Sequence, residues 1–150
     1  MSSLSFNKED KIGNLFMLSL VIVTHGNLAT EFVNALEHVM GPQEKTFAFC
    51  IHPHDDMEKK RDELLGLFKD EEGDDGIVVL TDMFGGTPSN LSLSLLDRAN
   101  VEVIAGVNLP MLIKLASIRN KTSLSEAVAQ AQEAARKYIN VAGKLLEESA

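Results

Sequence analysis

Two short apolar runs, Val21-Ile22-Val23-Thr24 and Val78-Val79-Leu80-Thr81, each stop abruptly at polar residues and glycine before a helical pattern begins. A short β-branched run of this kind reads as a buried strand feeding a helix. The first run delivers His25-Gly26-Asn27, and the second delivers Asp82-Met83-Phe84-Gly85-Gly86-Thr87-Pro88. If the strands are parallel neighbours, a histidine and an aspartate share the carboxyl edge of one sheet, where open α/β folds bind ligands.

The rest of the chain repeats that alternation. Strands are expected at about 17–24, 46–51, 77–81 and 101–107. Between and after them, apolar residues at helical spacing predict helices over about 29–40, 57–69, 87–99, 111–118 and from Ser123 onward. Thr87-Pro88 and Leu109-Pro110 are helix starts, since proline in the first turn loses no needed hydrogen bond. Ser123 and Glu126 have capping-box spacing. Tyr138-Ile139-Asn140-Val141 alternates like an edge strand, or else extends the last helix. Strands alternating with helices imply a small doubly wound, mostly parallel sheet of flavodoxin type with helices on both faces. A terminal edge strand would invite pairing with a second subunit.

With 150 residues the chain is expected to form one domain over 15–150, preceded by a flexible extension at 1–14. That extension has no basic region followed by an apolar one, so it is not read as a secretory signal. A net charge of −8 gives little material for a nucleic-acid or anionic-membrane surface. The lone Cys50 excludes an internal disulfide and is consistent with a cytoplasmic location. The acidic run at 70–76 reads as a solvated turn, because it lacks the ligand spacing of a calcium loop.

His25 is the first candidate for chemistry. Gly26 lets the backbone approach a ligand closely, and the following helix start offers amides and partial positive charge to a phosphate. A carboxylate at Asp82, bonded to one imidazole nitrogen, would fix the tautomer and leave the other nitrogen as a nucleophile. Gly85, Gly86 and Thr87 then supply amides and a hydroxyl for a phosphoryl group on that nitrogen. A Walker loop would need lysine after the glycines, and a serine hydrolase would need a Gly-x-Ser-x-Gly elbow; both are absent. A histidine phosphatase would carry arginine where Thr24 stands. His52, His54, Asp55 and Asp56 offer metal ligands, but their spacing matches no zinc pattern. A histidine-phosphatase-like or metal-assisted hydrolase remains the enzyme-class alternative.

Three motifs, Val-Thr-His25-Gly, Asp82-Met-Phe-Gly-Gly-Thr-Pro-Ser-Asn90 and Gly106-Val-Asn-Leu-Pro-Met-Leu112, resemble in order and spacing the enzyme IIA components of the mannose (mannose/fructose/sorbose) family of the bacterial sugar phosphotransferase system. The resemblance runs from about Met17 to the C-terminus. It implies a cytoplasmic phosphotransferase without metal or organic cofactor. His25 would accept a phosphoryl group from phospho-HPr, with Asp82 as its orienter, and pass it to a IIB component in sugar uptake. Thr24, Gly26, Gly85, Gly86 and Thr87 would form the phosphate cradle, with Asn108 and Pro110 at the rim. The resemblance also implies a homodimer exchanging a C-terminal edge strand, and contact with a membrane only through a permease complex. Family members commonly carry glycine or acidic residues where this chain has His52 and His54. A stand-alone regulatory IIA, whose phosphorylation state controls a target protein without sugar transport, is the alternative within the same resemblance.

Overall fold

The computed structural model describes residues 16–71, 75–98 and 100–149. The N-terminal extension expected at 1–14 and part of the acidic turn at 70–76 lie outside them. In chain order the elements are β1 (Ser19–His25), α1 (Leu28–Met40), β2 (Thr46–Ile51), α2 (Met57–Glu71), β3 (Ile77–Thr81), α3 (Thr87–Leu93), β4 (Val101–Ala105), α4 (Leu109–Ile118), α5 (Leu124–Lys137) and α6 (Ala142–Ser149).

The four strands form one sheet in the order β2-β1-β3-β4. All three pairings are parallel, with His25 opposite Ile51 and Val23 opposite Thr81. Strand order reverses beside β1, so the ends of β1 and β3 flank the crevice where doubly wound sheets place ligands. β1 and β3 lie in the middle of the sheet, which is why their runs are apolar on both faces. On one face Leu20, Ile22, Val78 and Leu80 pack against Ala29 and Leu36 of α1, Leu112 and Leu115 of α4, and Ala127 and Ala131 of α5. On the other, Val21, Val23 and Val79 meet Leu64 and Phe68 of α2 and Leu91 and Leu95 at α3. Each fully buried Val, Leu, Ile or Phe side chain among them contributes about 1.5–3 kcal/mol, so the strand ends carrying His25 and Asp82 stand on a rigid base.

Three segments differ from the sequence expectation. The helix expected to run to Ala99 ends at Leu93, and Leu95, Leu96 and Arg98 donate three residues back to Ser92, Leu93 and Leu95. Ser92 and Ser94 donate their hydroxyls to the Pro88 and Leu91 carbonyls at 2.7 and 2.6 Å; such back-bonding competes with the helix ladder and favours an early stop. Residue 99 lies outside the described residues. β4 ends at Ala105 because Gly106 turns to φ +85° and both the Gly106 and Val107 amides donate to the Thr81 carbonyl. Residues 138–141 are neither a strand nor a continuation of α5. They form an irregular link to α6, with Tyr138, Ile139 and Val141 exposed. Alternation alone does not make a strand; a ladder partner is needed, and among the described residues these four pair with no strand.

At the amino edge of the sheet, opposite the ligand edge, Arg119 is buried at the end of α4. Its guanidinium donates to Thr46 Oγ1 at 2.7 Å and to the carbonyls of Glu44 and Lys45. Burial pulls its pKa down to about 10. The charge is held by hydrogen bonds that tie α4 to the α1–β2 loop.

Candidate functional site

His25 is the last residue of β1 and the first on that strand to leave the core, half exposed after six buried residues. Asp82 follows β3 directly and is mostly shielded, its side chain 13% exposed. His25 Nδ1 lies 2.8 Å from Asp82 Oδ2, and the His25 backbone amide donates to the same oxygen at 3.0 Å. The Met83 amide donates to Asp82 Oδ1 at 3.0 Å. Partial burial pushes the Asp82 carboxyl up, but the bonds from the His25 amide and ring and from the Met83 amide outweigh it, so the group sits below the ordinary carboxylate range. An ionised Asp82 is acceptor-only, so a neutral His25 ring must donate from Nδ1 and carry its lone pair on Nε2.

That free nitrogen faces glycine. A Cβ built on Gly86 would stand 3.0 Å from both Nε2 and Cε1 of His25. Gly86 has φ −169°, an extended conformation open to any residue, so its glycine is required for space rather than for backbone freedom. Gly86→Ala should therefore fold normally yet press on a ring already anchored at Asp82 and displace Nε2. The 15N signal of Nε2, set beside thermal melting, checks this; an unmoved signal would mean the added methyl is accommodated without moving the ring. Gly85, at φ +86°, does need backbone freedom, although a Cβ there would meet nothing within 4 Å beyond its chain neighbours.

The other expected cradle residues are placed differently from one another. Thr87 is exposed at the start of α3, and Pro88 behind it is buried. Thr24 is fully buried, and its hydroxyl accepts the Ala29 amide at 2.7 Å, so it supports the first turn of α1 instead of lining the mouth. The Gly26 amide donates to the Ile51 carbonyl at 2.8 Å, which leaves the residue as a turn at φ +53° with its donor used. The Gly85 and Gly86 amides both donate to Ser89 Oγ, at 3.0 and 3.3 Å. Asn108 caps α4 by accepting the Met111 amide and donates to the Ala135 carbonyl, while Pro110 occupies the first turn. Both lie at the same sheet edge, beyond β3, with the Asn108 side chain committed to α4 and α5.

Sequence reasoning missed Ser89. The signal was present in its position: the third residue of a helix whose cap is Gly86 is where a polar side chain reaches back to the cap amide. It also did not anticipate the pairing of Asn27 with His52. Asn27 makes no side-chain cap to α1, and its Oδ1 lies 3.1 Å from His52 Nε2. The His52 amide donates to Asp55 Oδ2 at 2.8 Å, and that bond leads the influences holding the Asp55 carboxyl low. Among the described residues no group of three or more His, Cys, Asp or Glu side chains is arranged to hold a metal ion. Nor is any helix among them long and apolar enough to cross a membrane.

Beside the pair, Met83 and Phe84 project with 52% and 59% exposure, and Leu28 with 48%. An exposed apolar rim beside a polar pair of this kind suits a macromolecular partner better than a small polar ligand.

Comparison with known proteins gives a consistent picture. The family model described as EIIA-man, PTS system fructose IIA component, matches residues 19–132. The PTS system mannose-specific EIIAB component of Escherichia coli K12 is 32% identical over 124 residues, covering 81% of this chain and 38% of that protein. This chain thus spans well under half the length of that relative. The PTS system sorbose-specific EIIA component of Lacticaseibacillus casei is 27% identical over 113 residues, covering 75% of this chain and 81% of that one. The crystal structure of phosphotransferase system component EIIA from Streptococcus agalactiae shares the fold with a TM-score of 0.76 at 25% identity, covering 85% of this chain and 99% of that one.

Proposed function

The chain belongs to the mannose-type IIA family of the sugar phosphotransferase system, and from that premise we propose that it is a phosphohistidine carrier with His25 as the nucleophile and Asp82 as its orienter. The observation that carries this reading is the ring held at Nδ1 by Asp82 at 2.8 Å with Nε2 turned to the glycine of the Gly85-Gly86 turn.

In the forward step the Nε2 lone pair attacks the phosphorus of phospho-HPr. The donor's phosphorus–nitrogen bond breaks as the new one forms, and HPr leaves with the electron pair. The Nδ1 proton stays in its hydrogen bond to Asp82, which stabilises the positive charge developing on the ring. In the second step a nucleophile of a IIB component takes the group by the reverse displacement. Exchange between ring nitrogens is close to isoenergetic, so the site's task is in-line positioning. Thr87, exposed at the start of α3, offers its hydroxyl to the phosphoryl oxygens. Gly86 keeps the approach to Nε2 clear, and Met83 and Phe84 supply an apolar surface for docking.

The carrier acts in the cytoplasm as one domain over 15–150, and it is a homodimer. The exposed Tyr138, Ile139, Val141, Leu145 and Leu146 of the tail supply apolar surface for a second copy to cover. Phosphorylation adds about −1.5 to −2 charges beside Asp82, enough to change which partner docks.

The test is incubation with phosphoenolpyruvate, enzyme I and HPr, followed by intact-mass measurement and peptide mapping. One acid-labile phosphoryl group on the peptide carrying His25 is expected. No gain of mass with demonstrably active donors would refute the carrier reading.

A further inference from the structure

We infer that Ser89 is a positioning residue of the phosphoryl-transfer site, holding the Gly85-Gly86 turn from beneath so that Gly86 presents its bare Cα to His25 Nε2. The inference rests on the carrier reading for its catalytic consequence, and on geometry alone for the placement of the ring.

Ser89 lies in α3 with no exposed surface. Its single hydroxyl oxygen accepts the Gly85 amide at 3.0 Å and the Gly86 amide at 3.3 Å, and its proton goes to the Gly86 carbonyl at 3.1 Å. One side chain therefore fixes both peptide units of a turn whose first glycine is in the left-handed region. A two-glycine turn has more freedom to lose than any other pair, so without that oxygen its position opposite the ring would not be defined. The consequence reaches Nε2 because Gly86 is already at the limit of close approach: a single added carbon there would lie 3.0 Å from the nitrogen. A shift of the turn toward the ring obstructs Nε2, and a shift away opens a gap on the side where the transferring group must be held. Removing the hydroxyl also takes the acceptor from two part-buried amides, an incentive for the turn to rearrange.

Ser92 supplies an internal control. It is equally buried in the same helix, and its hydroxyl donates to the Pro88 carbonyl at 2.7 Å without touching either glycine. A merely structural role for buried serine hydroxyls in α3 predicts that Ser89→Ala and Ser92→Ala behave alike. Positioning predicts that they diverge.

The experiment measures two quantities on the full chain. One is the rapid-quench rate of phosphoryl uptake at saturating phospho-HPr; the other is the 15N signal of His25 Nε2 in the unphosphorylated protein. Ser89→Ala should slow saturated uptake roughly tenfold, below the ~100-fold cost of a full ångström of misplacement, and should move the Nε2 signal; Ser92→Ala should do neither. Ser89→Cys keeps a side-chain donor and acceptor at this position, slightly larger and weaker in both roles, and should fall between wild type and alanine, which keeps the question answerable if the alanine variant does not fold. Equal behaviour of the two alanine variants, or an unmoved Nε2 signal in both Ser89 variants, would overturn the inference. A wild-type chain that takes up no phosphoryl group would refute the carrier reading instead, and the ring signal would still decide whether Ser89 places Gly86 against His25.

Discussion

Replacing His25 with alanine is expected to abolish acid-labile phosphoryl uptake while leaving folding stability within about 1 kcal/mol of the parent chain. The asymmetry follows from where the residue sits. Its backbone completes β1 opposite Ile51, and alanine keeps that pairing. Its ring is half exposed and bonds to a single side chain, Asp82, so deletion removes one partly solvated pair and no core packing. Asp82 keeps the amides of residue 25 and Met83 as donors. Function has no such reserve. Of the two further imidazoles in the loop after β2, His52 has its Nε2 against Asn27 and its Nδ1 toward Asp55, and His54 is exposed two residues further on; neither is the ring that stands beside Gly86. Intact mass after incubation with phospho-HPr, with a melting curve on the same sample, reads both halves of the expectation. An alanine variant that still gains the group would move the nucleophile elsewhere, and His52 would be examined next.

Much of this arrangement was legible in the chain because it depends on strand ends. Val21 to Thr24 and Val78 to Thr81 could only be buried strands, and two parallel strands starting from one edge must deliver His25 and Asp82 to the other. The direction of a peptide group is a different kind of fact. Gly26, Gly85 and Gly86 were readable as turn residues, but where their amides point depends on partners remote in sequence or hidden in the next helix: the Ile51 carbonyl for one and Ser89 Oγ for the other two. Thr24 misleads for a different reason. It adjoins His25 in sequence, yet strand alternation sends its side chain to the opposite face, where it meets Ala29 of α1. The tail shows the limit of periodicity: Tyr138 to Val141 alternate as an edge strand would, and a strand exists only where a neighbour supplies the ladder.

Asp82→Asn is expected to lower the rate of phosphoryl uptake by at least ~10³-fold, on the scale of the roughly 10⁴-fold loss seen when the aspartate orienting a catalytic histidine becomes asparagine. The carboxylate accepts three N–H groups, two at Oδ2 from the His25 ring and backbone and one at Oδ1 from Met83. Asparagine has one oxygen and one NH₂ for the same three donors. With its oxygen toward Met83, the NH₂ faces the His25 amide and ring. The ring then relieves the conflict by accepting at Nδ1 and carrying its proton on Nε2, where the nucleophilic lone pair has to be. With the oxygen toward His25 the tautomer survives, but the NH₂ meets the Met83 amide and strains the residue that leads into the Gly85-Gly86 turn. Neither orientation restores the negative charge opposite the ring as it becomes phosphorylated. The 15N shifts of the two His25 ring nitrogens distinguish the tautomers directly, and the uptake rate measures their consequence. An asparagine variant that kept the Nδ1–H tautomer and the parent rate would show that the ring is oriented without the carboxylate, and would remove Asp82 from the mechanism.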